Sequence, residues 1–359
     1  MSKVCIVSVS APRNMVMLSV YTSYFETKNI KYDLVYLDRY HKEEKTGAEK
    51  IFRIEYDRKS KISITKGYID FKKRATLILK RERYDFVIVW GELTASIISG
   101  VLGHYYRNRY CVNVRDLFVN KRVIFYPLLN NAIKKSAFTT VSSEKYLEKL
   151  TRHFRKYIFV HSYNDTIKKE TDKAIATSSS REDAVIRILY LGNIRFLSHL
   201  FKLIEQLKND ARYELIIAGT GSELVSQYIE KNNITNVEVF GTFDKEKTSC
   251  FLCNSDVIYN LYGTEDINLR YALSNKLYYA ISLGIPILVY KDTYMYEISK
   301  QCGIGFAVDE KANQPFADKF FEWYQNWDKE EAEIHCKALL DSARKTQSKL
   351  YSVLDAVIN

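Results

Sequence analysis

The chain has 359 residues, 47% of them hydrophobic, which is enough for two domains of ordinary size with real cores. No run reaches the roughly 18–20 apolar residues of a membrane-spanning helix, and the opening residues 1–9 turn polar too soon for a secretion signal, so a cytosolic protein is expected. The net charge of +11 is lopsided: residues 1–165 hold 31 Lys and Arg against 16 Asp and Glu, and the remainder 23 against 27.

In chain order, residues 4–9 read as a first strand, 14–28 as an amphipathic helix after the Pro12 turn, and 32–37 as a second strand. The densest basic run, 58–83, carries Lys72, Lys73, Arg74, Lys80, Arg81 and Arg83, and a helix is predicted over 68–81. Such a run suits an anionic membrane face or nucleic acid, or is simply a solvated helix face. Strands follow at 84–90, 110–114, 138–141 and 157–161, with a helix from Gly91 to Ser99. A polar stretch of weak periodicity, 166–183, reads as a linker. The second half repeats the alternation, with strands at 186–191, 213–218, 237–240, 256–260, 287–290 and 303–308 and closing helices at 316–327 and 329–358. Apolar runs alternating with helical patterns predict α/β architecture with two doubly wound parallel sheets. The expected division is 1–165, a linker at 166–183, a second domain at 184–328 and a last helix, 329–359, returning to the first domain.

In open parallel sheets, ligands sit outside the carboxyl ends of the strands. Several polar or glycine-bearing turns fall there: Gly192 and Asn193, then Gly219, Thr220 and Gly221, then Gly241, Thr242 and Phe243, then Ser274, Asn275 and Lys276. The last is the most informative. Ser274 and Asn275 suit a helix N-cap, Gly284 stops the helix and Pro286 blocks its continuation. A helix N-terminus offers free N–H groups and partial positive charge. With Lys276 in the first turn, it reads as a phosphate site.

The turn at 273–276 followed by the Gly284-Ile285-Pro286 break resembles a motif of retaining group 1, family 4-like glycosyltransferases with two Rossmann-like domains (the GT-B fold), including enzymes of capsular and surface polysaccharide assembly. The order of the strand-end turns in 186–308 matches that family, and 1–165 does so more loosely. The resemblance implies that Gly192, Asn193, Arg195, Gly241, Thr242, Phe243, Ser274, Asn275, Lys276 and Tyr279 bind a nucleotide-sugar donor, most simply a uridine diphosphate sugar. Asn193 and Ser198 stand where the family has an Arg and Lys on the diphosphate, which leaves Arg195 and Lys276 as the nearby cations. Tyr271 and Tyr279 stand at the family's two Glu positions. Tyr279 could still bond a ribose hydroxyl but carries no charge near neutral pH. Glu265 and Asp266, on the preceding loop, are substitute acids or merely a polar loop. Phe243 either stacks on the base or belongs to the core.

In the first half, Arg115 and Asp116 follow the strand at 110–114, where relatives carry His-Asp or Arg-Asp. Arg115 would stabilise a leaving diphosphate and Asp116 would orient acceptor hydroxyls, or the two close the strand as a pair. Glu92, at another strand exit, could meet the acceptor as a general base. No metal is expected, because none of the six His, His153 and His161 among them, has a partner at ligand spacing and no Asp-x-Asp motif occurs. Cys250 and Cys253 have redox-motif spacing but no second pair for zinc.

The reading is a glycosyltransferase on the inner membrane face. Its donor is a nucleotide sugar, its acceptor a lipid-linked oligosaccharide, and its basic first domain meets anionic lipid. No cofactor and no nucleic acid are expected. The rival is a non-catalytic partner or activator of another transferase. A nucleic-acid binder is a third reading, without a recognisable reading module.

Overall fold

The structure, a computed structural model, describes residues 2–15, 17–57, 59–150, 156–163, 165–177, 184–309 and 315–358. Residues 178–183, the end of the expected linker, and His153 lie outside the described residues. The chain forms two compact units, Met1–His161 with Ala343–Asn359 and Ser162–Ser342.

The first unit holds a seven-stranded sheet of β1 (Val4–Ser8), β2 (Tyr32–Asp38), β3 (Lys50–Glu55), β4 (Phe86–Trp90), β5 (Tyr110–Val114), β6 (Phe138–Val141) and β7 (Tyr157–Phe159), in the order β3-β2-β1-β4-β5-β6-β7. All its pairings are parallel. Parallel neighbours require crossovers, and helices on both faces bury both sides of the strands. On one face, Val20, Tyr21, Tyr24 and Phe25 of helix Ser19–Lys28 share a core with Ile6, Leu34, Phe86 and Ile88. The end of helix Lys329–Ile358 joins that core through Leu350, Leu354 and Ile358. The alternate residues Cys5, Val7, Val87 and Val89 are equally buried.

The second unit holds β8 (Ile186–Leu191), β9 (Tyr213–Ala218), β10 (Val237–Phe240), β11 (Val257–Asn260), β12 (Ile287–Tyr290) and β13 (Gly305–Val308), ordered β10-β9-β8-β11-β12-β13 and again parallel. In each unit the connection reverses direction once, between β1 and β4 and between β8 and β11. These switch points open a crevice at the carboxyl edge of the sheet.

Three differences from the sequence reading have physical causes. The stretch taken as linker is helical over Asp165–Thr177, within the second unit, and packs against helices Thr248–Cys253 and Asn275–Leu283. Thr171 is fully buried there, so a short polar stripe does the work that an apolar one usually signals. Strand β3 escaped notice because it is an edge strand whose apolar residues are interleaved with Lys50, Arg53 and Glu55. The basic helix starts earlier than predicted, spanning Lys61–Glu82, because Ser60 and Ser63 form a reciprocal capping box (Ser63 N–H to Ser60 Oγ 3.1 Å, Ser60 N–H to Ser63 Oγ 2.9 Å).

Candidate functional site

In the second unit the strand ends form a row of close backbone contacts. Gly192, after β8, has φ +107°, and Gly219, after β9, has φ +152°. A Cβ on Gly219 would stand 1.7 Å from the Gly192 carbonyl oxygen, so only glycine lets the two strand exits touch. Ile194 N–H donates to Thr220 O (2.9 Å), and the Thr220 and Thr242 hydroxyls bond each other (3.0 Å), which ties in the exit of β10. The Tyr190 hydroxyl accepts from Arg195 N–H (2.9 Å) and faces the Asn193 carbonyl at 3.1 Å. That bond pins the loop carrying Asn193 and Arg195, whose side chains are exposed.

Lys276 enters this row from across the switch point. Its helix, Asn275–Leu283, is capped by Ser274 and ends at Gly284 in the left-handed conformation, as predicted. The cap differs in one respect: the Ser274 hydroxyl does not bond a first-turn N–H but donates to Asn260 Oδ1 at the end of β11 (2.9 Å). The first turn therefore keeps its N–H groups free of a side-chain cap. A Cβ on Gly192 would stand 3.3 Å from Lys276 Nζ, so the ammonium lies against the backbone of the β8 exit. Burial, then the charge of Arg195, pushes the Lys276 pKa down to about 8. Among the described residues neither Lys276 nor Arg195 pairs with a carboxylate. Two cations without counter-ions among the described residues, beside helix N–H groups free of a side-chain cap, are an arrangement that suits an anion.

The other expected donor residues belong to other local structures, except Thr242, which its bond to Thr220 ties to the row. Tyr279 is half-buried and lines a small cavity with Ile167, Thr171 and Leu252, against helix Asp165–Thr177. Burial raises its pKa. Phe243 packs edge-on against Phe251 (4.9 Å), which also holds Phe240 (5.1 Å), so it is one of an aromatic trio. Gly241 and Thr242 are exposed at the edge strand. Asp266 is a helix cap, accepting from Asn268 N–H (2.7 Å) and Leu269 N–H (3.1 Å). Glu265 folds over Gly263 and meets His199 Nε2 at 3.0 Å, while His199 Nδ1 meets the Tyr290 hydroxyl at 2.7 Å. The sequence reading missed this chain, since its members are 91 residues apart at the extremes and share no motif.

In the first unit the switch point is marked by Glu92. It opens helix Glu92–Ile97 after Gly91 (φ +89°), and Val9 N–H from the β1 exit donates to Thr94 Oγ1 (3.0 Å) on the same turn. A helix N-terminus favours a carboxylate, yet burial and then the Asp116 charge prevail and raise the Glu92 pKa to about 8. Asp116 is exposed. The carbonyl of Arg115 accepts from the Ser142 (3.1 Å) and Tyr146 (3.2 Å) hydroxyls, which fixes the β5 exit. Arg115 and Asp116 both act electrostatically on Tyr146. Beneath them Asn113 Oδ1 accepts from Thr140 (2.7 Å), whose hydroxyl also meets Tyr21 (2.9 Å), while Asn113 Nδ2 is buried with no partner. Glu92, Arg115 and Asp116 are thus linked electrostatically, Asp116 acting on Glu92 and all three on Tyr146. Among the described residues no group of three or more His, Cys, Asp or Glu could hold a metal ion.

No protein-family profile matches the sequence, and no curated protein does. Solved structures match over the whole chain. A sucrose-phosphate synthase from Thermosynechococcus elongatus aligns with TM-score 0.69 and 10% identity, over 100% of this chain and 96% of its own. HepE from Anabaena, in complex with UDP and glucose, gives 0.68 and 9%, over 99% and 100%. The fold is GT-B. A UDP-GlcNAc 2-epimerase from Neisseria meningitidis, bound to UDP-GlcNAc, gives 0.60 and 15%, over 96% and 100%, so the GT-B fold hosts more than one reaction.

Proposed function

We propose that this protein transfers a glycosyl unit from a nucleotide sugar, most simply a uridine diphosphate sugar, to an acceptor hydroxyl. The bond between the anomeric carbon and the diphosphate oxygen breaks, the acceptor oxygen bonds that carbon, and nucleoside diphosphate and the acceptor proton leave. The observation that carries this reading is Lys276. A half-buried ammonium with no carboxylate partner among the described residues, beside Arg195 and a helix turn without a side-chain cap bond at a switch point, suits a pyrophosphate. Gly192 lets a phosphate approach the backbone. HepE and the epimerase are both crystallised with uridine nucleotides.

In the first unit Glu92, with a pKa near the working range, takes or gives the acceptor proton, while Asp116 and Arg115 orient the acceptor. Retention of anomeric configuration, a lipid-linked saccharide acceptor, a place in surface polysaccharide assembly and a site of action at the inner membrane face belong to the same proposal. The excess of Lys and Arg in residues 1–165 supports the membrane part.

Calorimetry with UDP and donor hydrolysis by the purified chain test the proposal. UDP should bind, and Lys276→Ala should abolish binding without unfolding the protein. No affinity for any nucleoside diphosphate would end it. The second reading, a non-catalytic partner of another transferase, is favoured by Tyr279, which is packed against helix Asp165–Thr177 where the family offers a carboxylate. Binding of UDP with neither hydrolysis nor transfer would select it.

A further inference from the structure

The outer surface of helix Lys61–Glu82 is built unlike an ordinary solvated face. Its inner side buries Gly67, Phe71, Ala75 and Leu79. Its opposite side carries Ile62, Lys66, Ile69, Lys73, Leu77 and Lys80, all exposed and spaced to form one stripe. Ile62 is 69% exposed, Ile69 51% and Leu77 66%, values that a monomer gains nothing by keeping on one helix. The helix holds seven Lys and Arg against Asp70 and Glu82. Among the described residues Lys66, Lys72 and Lys73 meet no carboxylate. Other helices of the same unit expose further apolar groups. Lys80 lies over the ring of Tyr105 (4.6 Å), itself 44% exposed, at the end of helix Ser99–Tyr105. That helix packs on helix Tyr126–Lys135, where Leu128 is exposed, and the turn before it exposes Val123 and Ile124.

We propose that this helical face of the first unit docks on an anionic lipid surface, with Ile62, Ile69, Leu77 and the Val123–Ile124 tip entering the headgroup layer and the lysines meeting lipid phosphates. Charge complementarity selects the partner. A nucleic acid or an acidic protein would satisfy the lysines and leave three aliphatic side chains in water, whereas an anionic bilayer takes both. A helix of 22 residues spans about 33 Å along such a surface. Among the described residues no helix is long and apolar enough to cross a membrane. The inference rests on the function proposed above and identifies the docking surface for its lipid-linked acceptor.

The test is co-sedimentation of the full chain with phosphatidylcholine vesicles with and without one-third phosphatidylglycerol. Binding should require the anionic lipid and weaken with salt. Replacing Lys66 and Lys73 by Gln should lower the partition coefficient by about fivefold per lysine. I69S/L77S should lower it by roughly tenfold or more, while UDP affinity stays at the wild-type value. Hydrogen exchange on the bound wild-type chain reads the location without any variant and should slow amides in 61–82 and 120–128. Absence of vesicle binding overturns the inference. So does protection confined to other segments, or equal binding to duplex DNA that ignores I69S/L77S. A chain that binds UDP but no vesicle loses this inference and the membrane part of the proposed function but keeps the transferase reading, whereas one that binds vesicles but no nucleotide loses only the transferase reading.

Discussion

The pKa of Lys276 makes the donor-site reading quantitative. Burial and Arg195 hold it near 8, against an ordinary 10.5. With that value about ten in eleven molecules carry the ammonium at pH 7, and about one in eleven at pH 9. A phosphate loses its second proton near pH 6, so UDP keeps its charge across this range. Affinity for UDP should therefore fall roughly tenfold between pH 7 and pH 9, about 1.4 kcal/mol. Lys276→Arg, always charged, should bind with little change over the same range, and Lys276→Ala weakly at both values. The sign for stability runs the other way. The folded state disfavours the charged form, a cost present below pH 8 and relieved as pH rises from about 8 towards 10.5. Lys276→Met should thus stabilise the fold at pH 7 by at most about 3 kcal/mol, seen as a higher Tm, while destroying nucleotide affinity. Isothermal calorimetry at three pH values decides the matter. A flat wild-type profile, or an equal slope in Lys276→Ala, would refute the assignment.

Glu92 makes a complementary case. Because its pKa is raised to about 8, the wild type loses stability relative to Glu92→Gln as pH climbs from about 4.5 to 8, and chemical denaturation at pH 8 should find the variant more stable by on the order of 1–3 kcal/mol. If Glu92 handles the acceptor proton, the same variant should lose transfer by roughly 10²-fold or more with donor KM unchanged, as steady-state kinetics would show. Gly219→Ala places a Cβ on the Gly192 carbonyl and should destabilise the chain by roughly 2 kcal/mol or more and weaken UDP binding, measured by thermal shift with and without nucleotide. Leu354→Ala, in the first unit's core, should cost about 2–5 kcal/mol in urea denaturation.

The fold was legible where burial is complete. The runs at 110–114, 138–141 and 287–290 are strands with those bounds because every position is buried, those at 186–191 and 213–218 are buried at all but Arg187 and Glu214, and 237–240, at the sheet edge, is legible instead from its alternation of half-buried and exposed residues. Strand β3 and helix Asp165–Thr177 were illegible for the converse reason: each buries little, so charge or polarity masks its period. At the site, Ser274, Lys276 and the strand-end glycines were readable from turn chemistry alone. The partners that tune them were not. Asn260 beneath Ser274, Tyr190 under the Arg195 loop and Asp116 acting on Glu92 are set by strand order, which no local pattern carries. Asp266 and Phe243 stay open between two readings in the sequence because a cap and a packed ring look, in one dimension, like a ligand and a stacking platform.

Strand β3 has a last consequence. It closes one margin of the first sheet, and its outward hydrogen-bonding groups are guarded by ions: Lys50 reaches Glu82 at 3.7 Å, and Arg53 pairs with Glu55 and sits 3.9 Å from Asp38. Another chain seeking to extend the sheet there would have to dehydrate those ions before gaining a single backbone bond. Concentrated solutions of this protein should accordingly resist ribbon-like self-assembly through that margin, and replacing Arg53 and Glu55 by Val is the simplest way to invite it.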